Sequence, residues 1–316
     1  MVFNQIKSAF HYIAFAAVAI PVALFSASNA NAGNTNFESE GELFIQGGSA
    51  TPTQEIDNYE NTSKKSYAGS PWIRSGIEAM VVIPVGKSSF DGFANTGASF
   101  GHTSFTTRKE GEYGVIDRSK IYFNPGVAFS GDKEKSFTFG AGPSFEAGGL
   151  DFQRNLVADS KADDVPIDGA GADLNNTYTG AHAIASVNSA LSLSGEIAGG
   201  FGVINYPMSD DASGNKGWAG FELAFRRSKG GDSLNISGNY SSSSSRSNDG
   251  QLRIKNGISE VAMNYFFGEN DVGIGVGYTH EEMEIINDPD GEANRMSMAL
   301  GNDTVSAGIR TRFSMQ

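Results

Sequence analysis

Residues 304–313 read Thr-Val-Ser-Ala-Gly-Ile-Arg-Thr-Arg-Phe. In an extended strand, successive side chains point to opposite faces. Val305, Ala307, Ile309, Thr311 and Phe313 therefore share one face, and Ser306, Gly308, Arg310 and Arg312 share the other. A face of Gly, Ser and Arg does not suit the core of a soluble sandwich. It suits a wall with lipid on one side and a polar lumen on the other. Three residues follow Phe313. The expectation is that this strand closes a barrel by pairing with the first, which leaves no free edge in the membrane.

The composition narrows the alternatives. With no cysteine, a disulfide scaffold, a Cys-bound metal and a thiol nucleophile are ruled out. A formal net charge of -13 without clustered lysines or arginines argues against nucleic acid as a partner. Beyond the N-terminus no run of 18 apolar residues appears, so helical spans are not expected. Residues 1–32 read as a secretory signal: Lys7, the apolar run Ile13 to Phe25, then Ala30-Asn31-Ala32 as the small-residue cleavage site. Residues 33–316 would then form one barrel domain.

From Glu38 onward the recurring unit is a strand of about ten residues, alternating and rich in Gly, Phe, Val and Ile. Twelve such strands are expected. They run over 38–48, 72–85, 90–106, 118–130, 135–152, 177–188, 191–206, 217–228, 233–243, 252–267, 271–284 and 304–313. Short breaks at 86–89, 131–134, 189–190, 229–232 and 268–270 alternate with mostly longer polar ones at 49–71, 107–117, 153–176, 207–216, 244–251 and 285–303. This pattern resembles Gram-negative outer-membrane β-barrels as a class. The resemblance implies an all-β, antiparallel up-and-down transmembrane barrel with short periplasmic turns and longer outer loops. It implies the cell outer membrane as location, with lipopolysaccharide and other outer-membrane lipids as neighbours. It also implies recognition of the closing strand by the outer-membrane assembly machinery, for which Phe313 is the expected aromatic signal.

Alternation places Ile73, Ile121, Phe123, Ile197, Phe201, Val276 and Ile309, among others, toward lipid. Tyr206, Trp218, Tyr240, Tyr265 and Tyr278 lie near strand ends, where an aromatic girdle would sit. Between Ile258 and Val261 the apolar pattern changes phase, and a bulge near Asn256-Gly257 is expected. Pro125 and Pro143 cannot donate to a ladder and mark weak points. The serine run 241–245 is expected to be a flexible loop edge.

The opposite face is heavily charged. Arg74, Glu78, Lys120, Glu146, Glu196, Glu222, Arg226, Glu260, Arg310 and Arg312 form the expected pore lining. Such charges need pairing or hydration. They either line a water-filled pore for small hydrophilic solutes or ions, or they pair across a narrow lumen and close it. Inward glycines such as Gly140, Gly200, Gly202 and Gly275 favour the open lumen because they leave space. In the closed case the outer loops would carry the function, as adhesin, receptor or structural protein.

Enzymatic chemistry has little support. His102 and Ser104 lie two apart on one strand face. This resembles the His-x-Ser pair of outer-membrane phospholipases and lipid A deacylases, in which the His activates a Ser nucleophile. Those families carry Asn after the Ser, and here Phe105 follows. A lipid hydrolase is therefore the third reading. Omptin proteases need an Asp-x-His near the strand tops, and Thr279-His280-Glu281-Glu282 lacks that spacing. Residues 287–292 cluster oxygen donors around Gly291 without completing a calcium loop. No enzyme, cofactor or metal is expected, and the leading reading is a porin-like channel for passive diffusion.

Overall fold

The computed structural model describes residues 38–58, 61–66, 69–84, 89–106, 112–131, 136–156, 171–189, 193–207, 212–226, 231–268, 271–287 and 296–315. The expected signal segment and the oxygen-rich turn at 288–292 lie outside them. Among the described residues the chain folds as β1 (Glu38–Asn58), β2 (Asn61–Ser66), β3 (Ser70–Pro84), β4 (Phe90–Thr106), β5 (Glu112–Ser130), β6 (Phe137–Leu156), β7 (Gly171–Ser189), β8 (Leu193–Tyr206), β9 (Ala212–Arg226), β10 (Ser233–Arg246), β11 (Leu252–Phe266), β12 (Val272–Asn287) and β13 (Met296–Met315).

From β3 onward each strand pairs antiparallel with the next, and β13 pairs with β1 from Ser39↔Met315 to Asn58↔Met296. That last ladder closes a twelve-stranded barrel. β2 is an extra arm that pairs only with Thr53–Asn58 of β1, while β3 pairs with Glu38–Ala50. Following register partners round the wall from Gly41, through Ala79, Phe145 and Ser244, returns to β1 at Glu55, fourteen residues further on. With twelve strands, that stagger corresponds to a tilt of about 40°. The closing seam is covered from outside: the far end of the Phe313 ring lies over Gly41, where any Cβ would overlap it, and the ring packs against Ile77 and Ala98. An aromatic ring here covers a bare glycine backbone.

The outer face carries the apolar belt. Ile197 (63% exposed), Phe201 (64%) and Ile309 (61%) are large hydrophobic side chains left bare by the protein itself. On β8 the belt runs ten residue steps from Leu193 to Val203. At about 3.3 Å per residue and this tilt, that is about 25 Å, the height of an outer-membrane apolar band. Above the belt the strands continue, on β12 for nine residues past Tyr278.

Several expectations change. Most strands extend further at the long-connection rim, because polar residues there were assigned to loops although the ladder continues through them. Ser241–Ser245 belongs to β10 and is fully paired with β11. Serine's short side chain fits either side of a wall that is polar outside at this height. β11 carries no bulge, since its register with β10 and β12 is constant from Leu252 to Phe266. Ile254 and Ile258 simply face inward. Pro125 and Pro143 fall opposite one another in the β5–β6 register, and the ladder opens between Phe123↔Phe145 and Val127↔Ala141. Neither proline offers an N–H. Gly142 lets the strands approach there, because a Cβ would overlap the Pro125 carbonyl.

Candidate functional site

The lumen is the site. Parity fixes which side chains enter it: even-numbered residues on β5, β6, β8, β9, β11 and β13, odd-numbered ones on β10 and β12. Arg74, Glu78, Lys120, Glu146, Glu196, Glu222, Glu260 and Arg310 line one interior cavity of about 440 Å³. Arg312 also faces inward, donating to Ser233 Oγ at 3.2 Å and stacking 3.5 Å over the Phe266 ring. The Arg226 side chain lies outside the described set.

These groups meet as pairs. Arg74 on β3 donates to Glu260 on β11 at 2.9 Å, and Arg118 on β5 reaches Glu281 on β12. Both pairs join strands that are not neighbours and so bridge the lumen. Lys120 and Lys216 share the single carboxylate of Glu146, Lys120 at 3.2 Å. Arg310 donates to Glu42 across the closing seam. The Phe44 ring lies between Arg74 and Arg310, 5.4 and 5.2 Å from its centroid. Lower down, Glu196 and Glu222 stand directly opposite each other on β8 and β9, and Asn235 donates to Glu222 at 2.7 Å.

Inward glycines do not leave empty space as expected. Several are floors on which neighbouring rings lie, while Gly202 sits against neighbouring backbone and Gly275 against the Asn264 side chain. A Cβ at Gly97 would collide with Tyr122, at Gly200 with Trp218, at Gly180 with Tyr178, and at Gly126 or Gly140 with Phe93. The rings lie along the wall instead of pointing at the axis, and this keeps a cavity inside a barrel that is rich in inward aromatics. Trp218 and Tyr206 therefore belong to the interior, not to the outer girdle, which retains Tyr240, Tyr265 and Tyr278. Nearness to a strand end placed them wrongly, whereas parity places them with Glu222 and Glu196.

Toward the long-connection rim the interior turns apolar. Ile116, Leu150, Leu174, Ile204, Ile254, Met283 and Leu300 form one buried cluster with Tyr206 and Ala212. Sequence reading missed this layer and three charged partners, Arg118, Lys216 and Glu281. The signal was available: each keeps the inward parity of its strand, with Ile116, Leu174, Ala212, Lys216 and Leu300 beyond the expected strand ends and the others within them.

The enzymatic candidates resolve differently. His102 and Ser104 both point outward, and the His102 Nδ1 lies 2.6 Å from Asp117 on β5. His280 also faces outward, between Asp303 at 2.8 Å and Glu282 at 3.0 Å, while Glu281 faces the lumen. Both imidazoles are held by carboxylates of the wall just above the apolar belt.

A closed antiparallel barrel with a 25 Å apolar belt outside and a charged lumen inside is an outer-membrane β-barrel, and that is the class of this chain. No family model and no curated protein sequence matches it. Among solved structures it is similar to an outer-membrane channel from Pseudomonas putida F1, with 10% identity over 90% of this chain and 97% of that one, at a TM-score of 0.46. The translocator domain of the autotransporter NalP from Neisseria meningitidis is 13% identical over 96% of this chain and 98% of that one, at 0.39. The outer-membrane protease OmpT from Escherichia coli is 10% identical over 87% and 97%, at 0.31.

Proposed function

We propose that this chain is a narrow, selective outer-membrane channel for small solutes, exported by its N-terminal segment, with its short-turn rim in the periplasm. The observation that carries the reading is the cavity itself: about 440 Å³, bounded by both signs of charge, with aromatic rings folded flat on glycines around it. A volume in this range fits a small-molecule site. It is less than a wide, standing-open pore would show. The cross-lumen pairs Arg74–Glu260 and Arg118–Glu281 act as a constriction that a solute or a shift of the wall must part. Passive diffusion of small hydrophilic solutes or ions remains the transport mode, restricted by that constriction.

A second reading has its own support. A buried apolar layer packs above the charges, which supports a non-conducting barrel with working outer loops. Single-channel recording of the refolded protein in planar bilayers separates the two. The channel reading expects discrete conductance steps, with ion preference altered by Glu146→Gln or Arg310→Ala. A barrel that inserts and stays silent at every voltage removes the channel and leaves the loops.

A further inference from the structure

Two histidines face outward above the apolar belt, and each meets an aspartate on a neighbouring strand. His280 is directly opposite Asp303 in the β12–β13 register, and His102 directly opposite Asp117 in the β4–β5 register. Their surroundings differ. Both ring nitrogens of His280 are taken by carboxylates, and the His280 and Asp303 side chains are 40% and 48% exposed. His102 is held through Nδ1 alone, at 2.6 Å, and here the two side chains are 16% and 15% exposed. A hydrogen bond is electrostatically stronger in such a drier setting. With the Asp117 carboxylate accepting, Nδ1 carries the proton and Nε2 is left as the basic nitrogen. Among the described residues Nε2 has no partner. Ser104 stands two residues toward the outer rim on the same face of β4, partly exposed. Two strand steps separate the Cα atoms by about 6.6 Å, a span that a histidine and a serine side chain close by rotation. Hydrogen bonds of this kind tighten when substrate binds.

The location selects a substrate. The register partner of His102 on β3 is Ile73, and Ile121 stands four residues below Asp117 on β5; these lipid-facing side chains are 48% and 46% exposed. The pair therefore marks the upper edge of the belt, where the hydrocarbon core gives way to headgroups. The ester carbonyls of membrane lipids lie at that depth. We propose that Ser104, His102 and Asp117 form an acyl-ester hydrolase on the outer wall, acting on lipids of the outer leaflet. Ser104 Oγ attacks the ester carbonyl carbon and passes its proton to His102 Nε2. The bond to the lipid alcohol breaks, that alcohol takes the proton, and the acyl group stays on Ser104. Water then attacks the acyl-serine, giving a proton to His102, and the fatty acid leaves as Ser104 recovers that proton. The sum is ester plus water to carboxylic acid plus alcohol. Asp117 is a positioning residue that fixes the ring's tautomer and orientation. This activity is separate from the lumen, so it stands or falls independently of conduction.

The refolded full chain in phosphatidylethanolamine vesicles is treated with a lipophilic fluorophosphonate, which traps an activated serine, and fatty acid release is followed in parallel. Mass spectrometry should place the label on Ser104, and Ser104→Ala should lose both label and release. His102→Gln should slow labelling about a hundredfold or more. Asp117→Ala should slow it about tenfold or more, and Asp117→Glu should restore part of the rate. His280→Gln should label as the parent does. Heat-dependent gel mobility confirms that each variant is folded. A folded parent that takes no label, a label on another serine, or equal labelling of Ser104 in His102→Gln overturns the proposal.

Discussion

The wall of this barrel has two regions of opposite polarity. Within the belt, apolar residues such as Ile309 and Phe201 face out and charges such as Glu260 and Arg310 face in. Above it, Glu282, Asp303 and Lys255 face out while Leu300, Met283 and Ile254 face in. No strand changes phase to achieve this, since the registers run unbroken through both regions. What changes is the medium on each side. Below, lipid makes an apolar exterior favourable. Above, water surrounds the wall, and the interior behaves as an ordinary protein core. The barrel is a membrane protein for about 25 Å and a soluble one beyond that.

The largest test of this division falls on its boundary. Arg118 and Glu281 meet across the lumen directly beneath the apolar layer, their side chains 26% and 11% exposed. Removing one partner of such a pair leaves a charge without its match, at a cost of about 3–5 kcal/mol, whereas replacing both with apolar residues is near neutral. Arg118→Ala should therefore destabilise strongly, and Arg118→Met with Glu281→Leu should recover most of the loss. Urea unfolding of vesicle-inserted protein measures both. If the double variant is as unstable as Arg118→Ala, the region above is not the apolar core described here.

A second test compares one substitution at two heights on β13. Ile309 lies in the belt, 61% exposed, and Ala299 faces out on the same strand ten residues nearer the outer rim. Arginine on the lipid face near the midplane costs about 2–4 kcal/mol, falling toward zero beyond the interface. Ile309→Arg should lose that much in unfolding free energy, and Ala299→Arg little. Equal losses would mean that the belt is misplaced.

The two regions were unequally legible in the sequence. Parity and the alternation of short and long breaks set out the barrel, its closure and the inward charges, because lipid enforces alternation strictly in the lower region. Part of the upper region reads as loop in the sequence: its outer face is polar, and its serines, glycines and charges carry little strand signal of their own. Ile258 looked like a phase error only because the sequence does not mark the height at which lipid ends. Partners across the lumen were hidden for another reason. Arg74 and Glu260 lie 186 residues apart, and no local pattern links them. The role of the glycines was also hidden, since an inward glycine reads as open space until the ring lying on it is placed.

The smallest expected effect sits outdoors, just above the girdle, where the wall has become a soluble surface. His280 donates toward Asp303 and Glu282, and the Tyr278 hydroxyl donates to the same Asp303 oxygen at 2.6 Å. The bond to Asp303, and then that to Glu282, raise the His280 pKa above its usual value. The Tyr278 and His280 bonds lower that of Asp303. A raised histidine stabilises the fold fully below about pH 6.5, and that contribution fades as pH climbs through the raised value. A lowered aspartate contributes above about pH 3.9 and loses its contribution as pH falls through the lowered value. The cluster should therefore help most from about pH 4 to 6.5. With side chains 40% and 48% exposed, water and salt hold the effect below about 1 kcal/mol. His280→Gln should lower the urea midpoint slightly at pH 6 and not at pH 9. A gap that widened with rising pH would show that His280 is held neutral, and would place it in the dry part of the wall, not on its soluble rim.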